Sequence, residues 1–287
     1  MMSRLLLKSA AWIAKRTPPA LKRLLYSCKP LADLTRWSLN KVAPTELTEI
    51  EIAAGGLVGA KMFLDLQAEK DYWLGTYEGE LQAAIADFVH TGMVTYDVGA
   101  NIGYISLMLA RVVREKGKVY AFEALPDNIN RLRKNISLNH LEEIIEIVPS
   151  AVIDERKTIE FLVGPSDGMG KAAGSAGRTE FDYPRKFLVS GISLDQFVYQ
   201  DGNPPPDLVK LDIEGGEVLA LPGMRRTLNN IKPTIFLELH GKKAAEITWN
   251  VLSHHNYKIC SIRAPYHEIP GLESLNWKAY LVAFPTD

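Results

Sequence analysis

The stretch TYDVGANIGY, Thr95 to Tyr104, runs from β-branched and aromatic residues into two glycines, Gly99 and Gly103, with Asp97 just ahead of the first. A run such as Met93–Val98 reads as a strand, and the apolar periodicity of Gly103–Val113 reads as a helix. A strand that passes through a glycine turn into a helix places backbone N–H groups and a helix N-terminus at its carboxyl end. Open α/β sheets bind their ligands there.

The turn departs from the dinucleotide fingerprint G-x-G-x-x-G, because Gly99-Ala100-Asn101-Ile102-Gly103 is G-x-x-x-G. A carboxylate at Asp97 disfavours a pyrophosphate and suits an amino group. Glu123 ends the next strand, 24 residues after Gly99, where an acid accepts hydrogen bonds from ribose hydroxyls. A ligand with a ribose, no pyrophosphate and a cationic or amine-bearing part satisfies both acids, and S-adenosylmethionine meets all three conditions. Taken singly, Asp97 or Glu123 also reads as a helix-cap or strand-end acid.

Strands and helices alternate outward from this turn at the spacing of βαβ units. Strands are expected at Lys118–Glu123, Ile144–Val148, Thr158–Val163, Leu208–Ile213, Thr234–Leu239, Tyr257–Ile262 and Lys278–Phe284. Helices are expected at Pro126–Leu138, after Ile213 through Leu228, and at Ala244–Ser253. Apolar strands without polar alternation call for a sheet covered on both faces. The chain therefore divides into a basic arm over 1–45, a lead-in of strands and a helix over 46–92, and an α/β domain over 93–287. The stretch Gly164–Arg178, GPSDGMGKAAGSAGR, has little to bury and reads as a mobile loop, either a substrate lid or a surface insertion.

VTYDVGANIGYISLMLA, GKVYAFEALPDNINRLRKNISLN and DLVKLDIEGGEVLALPGM closely resemble the FkbM-type methyltransferases, a branch of the class I S-adenosylmethionine-dependent enzymes. GTYEGEL and IFLELHG carry the same resemblance, which covers roughly residues 70–285. It implies a Rossmann-like three-layer α/β sandwich with a seven-stranded, mostly parallel sheet and one reversed strand near the end. It also implies O-methylation of a hydroxyl on a glycan, lipid-linked or other secondary-metabolite acceptor. By the same resemblance Asp97, Gly99, Ala100, Asn101 and Gly103 surround the methionine part, Glu123 holds the ribose with Ala124 beside it, and Ser150 and Ala151 lie near the adenine. Glu78 reaches the cofactor or the acceptor from the lead-in.

The acceptor end is read from two strand ends. KLDIEGGE puts Asp212 and Glu214 on one side of its strand at period two, and ELH does the same for Glu238 and His240. Adjacent strands would bring Asp212, Glu214 and His240 into one mouth. His240 is the first choice for general base because an ordinary histidine titrates near neutrality; a structural histidine tied to a carboxylate is the competing reading. Asp212 is expected to orient the cofactor amine or the acceptor, and Glu214 to cap the following helix. A divalent cation on the Asp/Glu/His set ranks low, since no dedicated metal motif is present, and no metal is expected. A non-catalytic scaffold that keeps the fold is the alternative to an enzyme; it would be marked by erosion of the glycine turn or of Glu123, and neither is eroded.

Residues 1–41 hold nine Lys/Arg and one acid, Asp33, hence +8 against a whole-chain net charge of −1. Leu5, Leu6, Trp12 and Ile13 give this arm an apolar side, so residues 1–40 read either as a contact with an anionic membrane surface or as a cap packed on the domain. The near-neutral total gives no sign of a nucleic-acid partner. The two cysteines, Cys28 and Cys260, form neither a disulfide framework nor a zinc motif. With no membrane-spanning run and no signal peptide apparent, the expected location is cytoplasmic, possibly peripheral on the membrane's inner face.

Overall fold

The computed structural model describes residues 44–164, 170–177, 182–275 and 278–286. The basic arm, with its expected amphipathic helices and membrane contact, lies outside the described residues. No helix among the described residues is long and apolar enough to cross a membrane. The chain divides into two compact units, Met1–Gln82 and Ala83–Asp287. In the first, β1 (Thr48–Glu51) and β2 (Lys61–Leu64) form an antiparallel hairpin, followed by α1 (Lys70–Leu74). Helix α2 (Gly79–Phe88) carries the chain from one unit into the next.

The second unit follows the alternation the sequence sets. Its strands are β3 (Val94–Val98), β4 (Lys118–Phe122), β5 (Ile145–Val148), β10 (Leu208–Leu211), β11 (Thr234–His240), β12 (Tyr257–Ser261) and β13 (Lys278–Pro285). They form one sheet in the order β12-β13-β11-β10-β3-β4-β5. Only β13 is antiparallel to its neighbours, β11 and β12. The expected seven-stranded sheet with one reversed strand near the end is therefore the observed one. Helix α3 (Tyr104–Val113) starts at Gly103, and α4 (Pro126–Leu138) starts on a proline whose fixed φ suits a first helical turn.

Period-two alternation sends Tyr96 and Asp97 to opposite faces of β3. On one face Tyr96, Tyr120, Phe122 and Phe197 pack with ring centroids 5.0 to 5.5 Å apart. That face is covered by α5 (Leu194–Tyr199), α6 (Glu217–Ala220), α7 (Arg225–Asn230) and α8 (Lys242–His254). Helix α5 begins on a capping box of Ser193 and Gln196, and Asp195 accepts hydrogen bonds from the Arg226 and Thr227 backbone, tying α5 to α7. Asp97 faces the other side, under α3.

The segment between β5 and β10 departs from the expected reading. The expected strand at Thr158–Val163 is present, but it belongs to a second sheet of β6 (Ala151–Val152), β7 (Lys157–Val163), β8 (Gly170–Ala172) and β9 (Arg185–Ile192), in the order β6-β9-β7-β8, and part of the expected loop supplies β8. The β9 run RKFLVSGI alternates only in part, because most of its partners lie on a small sheet with one exposed face; Leu188 is 79% exposed there. A short apolar stretch of this kind gives little periodic signal.

Gly99 fixes how the first turn meets β10. Its φ is +80°, and a Cβ there would stand 2.0 Å from the Asp212 carbonyl oxygen. The bare backbone demanded by the sequence is first of all a contact with the protein itself. Gly99→Ala is expected to lower stability by about 1–3 kcal/mol from backbone strain alone, read as a reduced midpoint in urea denaturation against the wild type.

Candidate active site

The glycine turn spends its own donors. The N–H groups of Gly99 and Ala100 both donate to the Phe122 carbonyl, at 3.0 and 2.9 Å, and Gly103 donates to Ala100. The Asn101 N–H donates to Glu123 Oε2 at 2.8 Å. A pyrophosphate would need these donors free, so their internal use agrees with a cofactor that lacks one. Asn101 takes φ +50°, and α4 holds the turn from outside through Asn135, whose Nδ2 donates to the Ile102 carbonyl at 2.8 Å.

Glu123 joins the two readings given to it. Its Oε1 accepts from the N–H groups of Ala124 and Leu125, at 3.0 and 2.9 Å, which caps the start of α4. Burial raises its pKa, against the opposing effect of these hydrogen bonds. Oε2 carries one backbone donor, and a carboxylate oxygen has a second lone pair. Ala124 and Ala151 both pack into the small core of the second sheet with Ala172, and Ser150, just before Ala151, donates its N–H to the Val148 carbonyl at 2.8 Å. Glu78 belongs to the first unit, at the turn that starts α2, with φ +44°.

Asp97 lies beneath the turn and not in its mouth. It is fully buried, with Oδ2 accepting from Ser106 Oγ at 2.6 Å and Oδ1 facing Lys210 Nζ at 3.1 Å. A buried carboxylate must be paired, and Ser106 and Lys210 supply that pairing from inside the protein. Lys210, the residue opposite Asp97 in the β3–β10 register, also donates to the carbonyls of Gly99 and Val98. Reading for acids alone overlooks it, although its place two residues before Asp212 puts both on one face.

At the other end His240 is almost fully buried among three carboxylates. Its Nε2 lies 3.2 Å from Glu238 and 3.7 Å from Glu214, and its Nδ1 3.9 Å from Glu217. Burial alone would lower its pKa, but the nearby carboxylates of Glu217, Glu238 and Glu214 outweigh that and raise it well above the ordinary histidine range. These surroundings favour the protonated ring, whereas the expected general base calls for one poised near neutrality. Glu217, fully buried in α6, and Glu238 were not among the expected site residues. Lys278 is ion-paired with Glu238, whose pKa is held low: burial would raise it, and the hydrogen bonds to His240 and Lys278 prevail.

Asp212, Glu238 and His240 offer one donor atom each within 4.8 Å of one another, a set that suits a divalent cation. Lys278 on Glu238 and Lys210, 3.8 Å from Asp212, already bring ammonium charge to that set. The structure thus brings Asp212, Glu214 and His240 together as expected, with Glu214 the more exposed member.

The segment Gly170–Gly177 crosses this edge of the sheet. A Cβ on Gly170 would meet Leu125, one on Gly177 would stand 2.0 Å from the Glu214 carbonyl, and one on Gly241 would meet the Ala176 carbonyl. The Ala176 N–H donates to the Gly215 carbonyl at 2.8 Å. The described part of the expected loop is therefore docked against the ends of three strands, and the reading as a surface insertion is corrected.

This sheet order, seven strands with one reversed near the end and acids at the carboxyl ends of β3, β4, β10 and β11, is the architecture of the class I methyltransferases. The model of the methyltransferase FkbM domain matches residues 97–259, and the chain belongs to that family. It is 29% identical over 147 residues to hexuronic acid methyltransferase AglP of Haloferax volcanii, a match spanning 51% of this chain and 56% of that protein. Methyltransferase FkbM of Methylobacillus flagellatus KT aligns with 17% identity and a TM-score of 0.48, over 91% of this chain and 61% of that one. Precorrin-6y C5,15-methyltransferase of Geobacter metallireducens aligns with 14% identity and a TM-score of 0.44, over 73% and 88%.

The raised His240 pKa has a signed consequence. A folded-state value above the unfolded one, about 6.5, adds stability that is complete below that pH and is lost as pH rises through the folded value. His240→Gln is therefore expected to cost most in acid solution, with the difference from wild type shrinking steadily above about pH 6.5. Urea denaturation of both proteins across pH 6 to 9 measures it; a difference that does not change with pH would refute the raised pKa.

Proposed function

We propose that the chain is an S-adenosylmethionine-dependent methyltransferase that methylates an oxygen of a sugar in a glycan or lipid-linked acceptor. The observation that carries this reading is Glu123: a strand-end carboxylate joined to the Asn101 N–H, beside a turn in which the Gly99, Ala100 and Gly103 N–H groups are internally satisfied. That fits a ribose-bearing cofactor without pyrophosphate. The partly exposed carboxylates of Asp212 and Glu214 suit its positive charge. When bound, such a cofactor supplies a methyl group already activated by sulfonium charge.

The protein's share is binding, positioning and proton management. Glu123 holds the ribose, with Ala124, Ser150 and Ala151 along the adenine. Residues 99–103 line the methionine part, and Lys210 keeps their turn in shape. At the acceptor end Glu214 is the carboxylate that reaches solvent, with 34% of its side chain exposed, and His240 beside it holds a proton. The acceptor hydroxyl gives its proton to Glu214 as it attacks, and the imidazolium steadies the pair.

AglP is named for a hexuronic acid, and this chain is proposed to take a sugar acid as well. A sugar acid offers hydroxyls and a carboxylate. The protonated state of His240 favours a second reading, methylation of that carboxylate, because an ionised oxygen needs no base. The products differ: a methyl ester is cleaved by mild alkali and a methyl ether is not.

Calorimetric titration with S-adenosylmethionine, with NAD as control, tests the cofactor. Binding of the first alone is expected. Glu123→Gln should weaken it roughly tenfold or more, the scale of a hydrogen bond to a charged group; undiminished affinity in that variant would remove Glu123 from the site. With binding established, transfer of labelled methyl to uronic-acid glycosides should exceed transfer to the matching neutral glycosides.

A further inference from the structure

Between the glycine turn of β3 and the end of β10 stands a buried lysine, Lys210, which braces the turn and also faces two carboxylates. It is 4% exposed. It faces Asp97, which is sealed from solvent, at 3.1 Å and Asp212, whose side chain is 19% exposed at the mouth, at 3.8 Å. Its ammonium also binds the carbonyls of Gly99 at 3.0 Å and Val98 at 3.4 Å. The three side chains sum to one negative charge, buried at the point where β3 and β10 turn toward the ligand. In such surroundings charges interact through a low effective dielectric and are little screened by salt.

We propose that Lys210 is a positioning residue that sets the charge balance of the site, and with it the discrimination between the sulfonium cofactor and its uncharged thioether product. This rests on the proposed function above. Two unshielded carboxylates under the turn would bind a sulfonium too strongly relative to the thioether. Lys210 offsets one of them, so the cofactor is held by charge while the product is not excluded by competition with the next cofactor molecule. A lysine that only braced the turn would affect both ligands alike, because they share every atom except the methyl group.

The test is calorimetric titration of S-adenosylmethionine and S-adenosylhomocysteine into wild type, Lys210→Met, Lys210→Arg, Asp97→Asn and the double variant Asp97→Asn/Lys210→Met. The quantity read is the ratio of the two dissociation constants. Lys210→Met should shift the ratio toward the sulfonium by roughly tenfold or more, tenfold being the order given by one unit charge about 12 Å away at an effective dielectric of about 20. Asp97→Asn should shift it the opposite way. Lys210→Arg, which keeps the charge, and the double variant, which restores the net charge of wild type, should both return it to the wild-type value. If Lys210→Met does not fold, the Asp97→Asn and double variants still decide. Equal weakening of both ligands across the series would overturn the charge role and leave the cofactor assignment standing. Failure of the wild type to bind either ligand would overturn both.

Discussion

Two turns at the carboxyl edge of one sheet meet backbone to backbone, and the rest of the site is arranged around that contact. The Asp212 carbonyl lies where a side chain at position 99 would begin, so only glycine lets β3 and β10 turn together. Under the contact Lys210 binds the Gly99 carbonyl and pairs with Asp97. Beside it Glu123 ties the turn to the next strand through the Asn101 N–H. Three neighbouring strands are thus locked at the one edge where the fold gathers its strand-end acids.

The same logic of satisfied polar groups explains the acceptor end. His240 is surrounded by Glu214, Glu217 and Glu238, and Lys278 answers Glu238 from the reversed strand β13. Charges alternate across the cluster, which is how several ionised groups tolerate burial together. The arrangement trades the reactivity of a free imidazole for a fixed one whose protonated form is favoured. The more exposed carboxylate, Glu214, is left at the mouth.

The second sheet adds an element with no counterpart in a simple βαβ alternation. Its strand β8 and the residues up to Gly177 run across the ends of β4, β10 and β11, held by bare backbone at Gly177 and Gly215. Family members can share the main sheet and its motifs while differing in what crosses this edge, and such crossings shape what a site accepts.

Much of this was legible in the residues alone. Periodicity gave the order of strands and helices in the main sheet. The pairing of DVGANIGY with KLDIEGGE gave the family, because glycine positions and strand-end acids are local features of the chain. What the sequence could not decide were the directions and partners of those acids. Asp97 reads as a ligand-facing acid but is paired inward, since Lys210 becomes its neighbour only when β10 lies beside β3. His240 reads as a base poised near neutrality, but the carboxylates around it raise its pKa, and two of the three come from other elements, Glu214 after β10 and Glu217 in α6. The glycine-rich stretch reads as loose because composition carries no record of what it docks against. Protonation states and pairings are properties of neighbours brought in from far along the chain, and only the tertiary structure supplies those neighbours.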